Sequence, residues 1–414
     1  MKIEFHMAAG LGFEPRLTAP KTAVLPLDDP ANRGKRYPIP STSQSYFRDM
    51  LAQLYADRIK RLAEVLTQAG VDAVMLHSPV DMEFMTGFNE GAAERFMALT
   101  ISNRGQVVLL CPMLSVNQAA RAGIEDIRPI RDGEIVDAKL QALATEFGIH
   151  NKLAVDDFMP ASLVLQIQRA LPAMTLVPGS IYPGQLNRTK GPAEIKELDE
   201  AGRIADESLA AITGNIKAGM TENDLGEMLQ AEMQKRGGIP AFSIVAAGPN
   251  GAEPHHHTDD TVLREGDVVI VDFGCKVNGY HSDTTRAFAV GSASDKAKEV
   301  YDVVLRAHHA ARAVLKPGVM SGDVDAAARK VIEDAGYGEF FTHRVGHGLG
   351  LKVHEEPYIV ANSQIELKVG DVFSIEPGIY LPGEFGVRIE NIVTITEGGH
   401  HSFNGEPPSE IPVY

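Results

Sequence analysis

A chain of 414 residues, 44% hydrophobic and 23% charged, is too long for one ordinary hydrophobic core and has the balance of a soluble globular protein, so two domains are expected. Its formal net charge of −16 disfavours nucleic acid or an anionic membrane as partner, because binding phosphate needs clustered Lys and Arg. Two cysteines, Cys111 and Cys275, each in or beside an apolar run, read as buried thiols in a reducing, cytoplasmic compartment rather than as a disulfide framework; no apolar run reaches the length of a membrane span.

The opening Met1 to Met7 reads as an expression-vector scar, since Glu-Phe and His-Met are encoded by two common cloning sites, and it lacks the order of a signal peptide. Residues 1–44 together are rich in Pro, Ser and Thr without periodicity, an extended or disordered arm. Helical spacing of Leu51, Leu54, Ile59, Leu62, Val65 and Leu66 predicts a helix from about Tyr46 to Ala69, stopped by Gly70. Apolar runs at 73–76, 96–101, 107–110 and 153–155 predict strands, and helices are expected at 137–147 and 161–170. This alternation is a smaller α/β domain over residues 45–183, with its boundary in the Pro/Gly-rich stretch Pro178 to Gly184. Residues 184–414 open with helices at 192–217 and 223–236, the second capped at Thr221. Short strands with Gly-rich turns follow, with helices at 296–314 and 321–335, which is an α+β pattern.

Acidic and imidazole side chains gather in this second half. Asp272 follows the run Val268 to Val271, Asp283 follows His281-Ser282, and Lys276-Val277-Asn278-Gly279 between them is a hairpin signal. The midpoint of 272 and 283 falls between Val277 and Asn278, so the two Asp residues are expected directly opposite each other on one face. Two opposed carboxylates in an apolar sheet repel, and a cation between them removes that penalty. Glu376 and Glu390 repeat the arrangement about Gly383. His347, in Gly346-His347-Gly348, adds an imidazole whose small neighbours would let a metal approach. Alone, a strand-end Asp is ordinarily a turn or salt-bridge residue, and a lone Gly-His-Gly is no stronger; the complete set in this order is not accounted for in that way. Four carboxylates and one imidazole suffice for two divalent ions sharing bridging carboxylates. The donor set suits Mn or Co, tolerates Zn or Fe, and is poor for a structural zinc. Two close metals generate a hydroxide at neutral pH and polarise a carbonyl, so metal-assisted hydrolysis is expected.

These residues resemble the pita-bread metallopeptidases, which include methionyl aminopeptidase, prolidase, Xaa-Pro aminopeptidase and the metal-free creatinase. The resemblance covers about Arg188 to Phe403, and the stretch Ser78 to Phe88 looks like the strand-and-turn segment of a creatinase-type N-terminal domain. Methionyl aminopeptidases lack that domain, so the resemblance points to the proline-specific branch. It implies an α+β pita-bread catalytic domain (the creatinase/aminopeptidase fold) behind the smaller α/β domain. By resemblance, Asp272 chelates one metal, His347 and Glu376 ligate the other, and Asp283 and Glu390 bridge the two. His255, His354 and Glu376 are the catalytic candidates; His255, His343, His354 and Arg388 are the substrate-binding ones. His256 and His257 are read as surface or packed residues. The complete ligand set disfavours a creatinase-like reaction, and Gly274 disfavours the family's dimethylsulfoniopropionate lyases, whose first motif carries an extra Asp.

The activity implied is cleavage of the imide bond before proline in a small peptide, by an Xaa-Pro dipeptidase with two divalent ions per subunit, Mn first among them. The alternatives are an Xaa-Pro aminopeptidase acting on longer peptides and a non-peptidase amidohydrolase acting on a small metabolite; a pure binding module is disfavoured by the intact ligands. A dipeptidase needs a cation for the proline carboxylate, and no residue of the sequence is assigned to it. The resemblance also implies a homodimer, with neither nucleic acid nor membrane as partner.

Overall fold

The computed structural model describes residues 41–414, so the expected vector scar and nearly all of the expected arm lie outside the described residues. Two compact units are separated at Asn187/Arg188. No described helix is long and apolar enough to cross a membrane.

The first unit opens with helix α1 (Ser41–Ala69), which starts five residues before the expected Tyr46. Leu62 and Leu66, one turn apart, are fully buried, and Gly70 at φ 63° ends the helix in the left-handed region. A six-stranded sheet follows, in the order β4-β3-β2-β1-β5-β6. Its strands are β1 (Ala73–Leu76), β2 (Ala98–Ser102), β3 (Val107–Pro112), β4 (Ile127–Ile130), β5 (Lys152–Val155) and β6 (Thr175–Pro178). The inner strand β1 is buried at all four residues, so its sequence is a continuous apolar run rather than an alternation. The edges β4 and β6 were not expected. Each contains a proline, Pro129 or Pro178, which a ladder tolerates at its edge and which breaks the apolar pattern. Helices α2 (Pro79–Thr86), α3 (Val116–Arg121), α4 (Asp137–Phe147), α5 (Ala161–Ala170) and α6 (Ile181–Asn187) complete the unit. The stretch Ser78 to Phe88 is therefore mostly helix α2, not the expected strand and turn. Pro79 is accepted at the first helical position, and Gly87 at φ 76° closes the helix.

In the second unit, α7 (Pro192–Ile212) and α8 (Glu222–Lys235) pack on a sheet whose strands β7 (Ile239–Ala247), β8 (Val268–Val277) and β10 (Thr284–Ala289) run in the order β10-β8-β7, with the short β9 (Tyr280–His281) also on β8. Ile204, Leu225, Leu229, Val271 and Phe273 fill this interface; each such side chain contributes about 1.5–3 kcal/mol when removed from water. Helix α8 begins with a reciprocal cap: Asp224 N donates to Thr221 Oγ1 at 3.0 Å and Thr221 N donates to Asp224 Oδ2 at 2.8 Å. Helices α9 (Asp295–Ala313) and α10 (Ser321–Asp334) pack over a second sheet of order β12-β11-β13-β16-β17, through Val300, Val304, Val324, Phe373 and Val393. Its strands are β11 (Gly346–Gly348), β12 (Glu355–Ile359), β13 (Val372–Ile375), β16 (Asn391–Thr396) and β17 (Gly399–Ser402). Between β13 and β16 the chain makes a separate hairpin, β14 (Gly378–Leu381) with β15 (Phe385–Arg388).

Candidate metal centre

The β8–β10 ladder pairs Asp272 with Thr285 and Phe273 with Thr284, and β9 pairs His281 with Lys276. Asp272 is thus not directly opposite Asp283, as the midpoint rule predicts; in this register Asp283 falls at the level of Gly274, diagonal to Asp272. The turn is the cause. Asn278 and Gly279 both have positive φ, 49° and 89°, so the two-residue turn sits one position later than expected. Moving the turn by one residue changes the cross-strand pairing by two, from 283 to 285 opposite Asp272, so both carboxylates still share a face. Gly274 makes this possible: a Cβ there would lie 2.0 Å from the carbonyl oxygen of Ser282.

Glu376 and Glu390 are set by two ladders in one register. Ile375 pairs with Asn391 on one side of them and Gly378 with Arg388 on the other, which leaves Glu376 and Glu390 facing across the gap. His347 lies on β11 and is 4% exposed. Its flanking glycines allow the neighbouring strands to approach closely. A Cβ at Gly346 would lie 1.9 Å from Ser374 O, and one at Gly348 would lie 2.3 Å from Glu356 O.

These elements bring the five side chains together. Ligand atoms of Asp283, His347 and Glu390 lie within 4.8 Å of one another. His347 Nε2 is 3.7 Å from Asp283 Oδ2 and 3.4 Å from Glu376 Oε1. Arg388 Nη2 donates to Asp272 Oδ2 at 2.8 Å. Thr285 Oγ1 donates to Glu390 Oε2 at 2.7 Å and accepts from Arg388 Nε at 3.0 Å. Ser374 Oγ donates to Glu376 Oε1 at 3.1 Å and accepts from His347 N at 2.9 Å. Asp272, Glu376 and Glu390 are therefore each oriented by a neighbouring side chain.

The electrostatics are those of a site that expects positive charge. Burial pushes the Asp283 carboxyl well above its usual range, and the Glu390, Asp272 and Glu376 carboxylates push it further. Burial raises Glu390 in the same direction, with Glu376 and Asp272 adding to it. Glu376 is pushed up to about 7, by burial first, against the opposing guanidinium of Arg388. His347 falls to about 3, through burial and the neighbouring His354, so its ring is neutral at pH 7.

Two observations fit a bound cation. His347 Nδ1 lies 3.1 Å from Gly348 O, a carbonyl that can only accept, so the ring proton is on Nδ1 and the lone pair of Nε2 faces the carboxylates of Asp283 and Glu376. Acceptor facing acceptor is unfavourable unless a metal cation, or a proton on the carboxyl, lies between them. In addition, Asp272 Oδ1 is buried and has no hydrogen-bond partner among the described residues. Four carboxylates and a neutral imidazole form an oxygen-rich donor set for divalent ions.

The remaining candidates surround this cluster. The ring of His354, itself exposed, stands edge-on to that of His347, centroids 4.2 Å apart. His343 Nδ1 donates to Arg344 O at 2.7 Å; its Nε2 accepts from the Tyr380 hydroxyl at 2.7 Å, and that oxygen accepts from Arg388 Nη1 at 2.9 Å. Burial drives His343 to about 4 and Tyr380 up to about 12, so both stay neutral in this chain of bonds. His255 is exposed after the turn Gly248–Ala252, within electrostatic reach of His343 and His354. His256 is packed, with Nε2 2.7 Å from the buried carboxylate of Glu222, and His257 is exposed.

Thr285, Ser374 and Tyr380 were not anticipated. Each lies two or four residues from a ligand, Asp283 or Glu376, and so shares its face at the strand period. That spacing was the available signal.

Residues 196–397 match metallopeptidase family M24, and residues 58–182 match the creatinase/prolidase N-terminal domain. The chain is 37% identical over 369 residues to a probable dipeptidase, PepE, of Mycobacterium tuberculosis, covering 87% of this chain and 97% of that one. It is 31% identical over 354 residues to an Xaa-Pro dipeptidase of Lactobacillus helveticus, covering 83% and 96%. Among solved structures, the prolidase from Thermococcus sibiricus aligns with a TM-score of 0.82 at 34% identity, covering 87% of this chain and 99% of that one.

Proposed function

This chain belongs to metallopeptidase family M24, and from that premise we propose that it is a metal-dependent Xaa-Pro dipeptidase, hydrolysing the imide bond before a C-terminal proline. The observation that carries the reading is the gathering of Asp283, His347, Glu376 and Glu390, with the lone pair of His347 facing two of these carboxylates and the buried, unpartnered Asp272 Oδ1 acting on the same group.

Asp272, Asp283, His347, Glu376 and Glu390 would hold two divalent ions, Mn first among them. When bound, they supply Lewis acidity at the scissile carbonyl and acidify water. The protein's own groups do the rest. Glu376, oriented by Ser374, takes a proton from the attacking water and returns it to the proline nitrogen. That nitrogen must be protonated to leave, because a secondary amide anion is a very poor leaving group. His354, on the exposed side of His347, donates to the developing oxyanion. His255 and His343 shape the proline side, the latter locked through Tyr380 to Arg388. A homodimer acting in the cytoplasm completes the reading.

Turnover of Ala-Pro, Ala-Pro-Ala and Met-Ala-Ser by Mn-loaded protein tests it. Cleavage of Ala-Pro above the other two is expected. Preference for Ala-Pro-Ala indicates an aminopeptidase, and no turnover of any peptide with metal bound contradicts the peptidase reading.

A further inference from the structure

We propose that Asn404 is a positioning residue of the metal centre: its side-chain amide joins the strand that follows Asp283 to the strand that follows Glu390, and so fixes how far apart these two ligands stand. The inference rests on the metal-centre reading and extends it to a residue outside the ligand set.

The ligands come from two sheets. Asp283 directly precedes β10, in the sheet β10-β8-β7, whereas Glu390 directly precedes β16, which shares the sheet β12-β11-β13-β16-β17 with the His347 strand β11. Among the described residues no ladder joins β10 to β16. Ligand atoms of Asp283, His347 and Glu390 nevertheless lie within 4.8 Å of one another, so the cluster persists only while the two sheets keep their separation. On the Glu390 side the seam is tied by Glu390 N, which donates to Thr285 O at 3.1 Å, and by Arg286 Nη1, which donates to Glu390 O at 2.5 Å.

Asn404 supplies a tie on the Asp283 side. It lies just past β17 and is buried. Phe403 N donates to Ile392 O at 2.9 Å, and Ile392 N donates to Asn404 Oδ1 at 2.9 Å, so the side chain takes the place of a strand carbonyl where β17 leaves β16. A main-chain N–H can only donate, which fixes the amide with Nδ2 on the other side. That nitrogen donates to Oγ1 of the fully buried Thr284, the neighbour of Asp283, at 2.8 Å. One amide thus accepts from β16 and donates to β10; a carboxylate in its place would only accept. The segment around it is itself held from both sides of the seam. Asn391 Nδ2 donates to Ser402 Oγ at 2.9 Å and to Gly405 O at 3.1 Å, while Gly405 N donates at 2.6 Å to Oδ2 of Asp206 on α7. Helix α7 packs so closely here that a Cβ at Gly202 would lie 2.4 Å from Phe403 O. A brace with both ends anchored passes its length on to the ligands beside it.

The test titrates Mn calorimetrically into metal-stripped wild type, Asn404→Ala, Thr284→Val and the double variant, with the melting temperature of each metal-free protein alongside. Each single variant should bind Mn about tenfold more weakly, the lower end of what loss of a ligand-orienting group costs. Both substitutions break the same bond, so the double variant should bind no more weakly than Asn404→Ala. A residue that only stabilised the fold would lower the melting temperature and leave the Mn affinity of the folded protein at its wild-type value. That result overturns the assignment, and so do two effects that multiply in the double variant. Thr284→Val leaves Ile392 N its partner, so it decides the matter if Asn404→Ala does not fold: weakened Mn binding supports the assignment and wild-type affinity overturns it. Wild-type protein that binds no Mn overturns the metal-centre reading, and the assignment with it.

Discussion

Arg388 donates to Oδ2 of Asp272 at 2.8 Å, and Oδ1 of the same carboxylate is buried without a partner among the described residues. One oxygen is held by the protein and the other is kept for something else. The same guanidinium reaches Thr285, which holds Glu390, and Tyr380, which holds His343. Arg388 is therefore the point at which two proposed ligands and the proposed proline-side pocket are fixed together.

Arg388→Met should leave Asp272 and Thr285 without their donor. Loss of a residue that orients ligands typically costs about 10–100-fold in metal affinity or activity. Mn titrated into the metal-stripped variant, followed calorimetrically, should show that weakening. Wild-type Mn affinity in the variant would remove Arg388 from the account of the centre.

The metal-free protein should become less stable as pH rises above about 6.5, where the raised carboxyls of the centre still titrate. Carboxyls held above their unfolded values keep their protons in the folded chain after the unfolded chain has lost them. Their stabilisation is complete below the unfolded values of 3.8 for Asp and 4.5 for Glu, and it is lost as pH rises through the folded ones. For Glu376 that window runs from 4.5 to about 7, and Asp283 and Glu390 extend it upward. Melting temperature in chelator should fall between about pH 6.5 and pH 8, above the range in which His343 and His347, held below 6.5 by burial, act in the opposite direction. Added Mn should raise it, by more at pH 8, because binding no longer has to displace protons. At a hundredfold excess over Kd the gain is about 2.7 kcal/mol. A chelated protein whose stability rises over this range contradicts the raised carboxyls.

Gly274→Ala tests the register of the first hairpin. The added methyl would meet Ser282 O at 2.0 Å, a backbone atom in a paired hairpin, so the strands must separate. Overpacking of this kind costs about 1–3 kcal/mol. A chemical melt should show that loss, with weaker Mn binding as Asp283 shifts. An unchanged melt would mean that the hairpin relaxes freely and that its register is not what places Asp283.

Glu222 anchors the loop that carries His255. Its fully buried carboxylate accepts from Ala247 N at 2.8 Å and Asn250 Nδ2 at 3.0 Å, and from His256 Nε2 at 2.7 Å. Glu222→Ala leaves buried donors unsatisfied, at about 1–3 kcal/mol each. The expected result is a lower melting temperature with a further drop in kcat/KM for Ala-Pro, because His255 follows the same loop. Normal stability in this variant would mean that the loop is held by other contacts.

How much could be read from the sequence depended on range. The ligand residues announce themselves because each follows a strand-like run and a turn signal, and the Glu376–Glu390 pairing about Gly383 follows from symmetry alone. The Asp272–Asp283 pairing was misplaced because the midpoint rule ignores turn chemistry: Asn278-Gly279 accepts two positive φ values, and the turn forms there. The helix over 79–86 was hidden by a proline that reads as a breaker but sits at the first helical position. The partners Thr285, Ser374 and Tyr380 were within reach of the strand period. The bridge from Asn404 to Thr284 and Ile392 was not, because it joins strands of different sheets.

The most direct test of the central claim is Ala-Pro hydrolysis by protein stripped of metal and then reloaded with Mn, in wild type and in Asp283→Ala. If the five side chains form the metal centre, stripped wild type is inactive, Mn restores it, and Asp283→Ala stays inactive at the same Mn concentration. Turnover that survives stripping, or an Asp283→Ala protein restored to wild-type rate, would contradict the account.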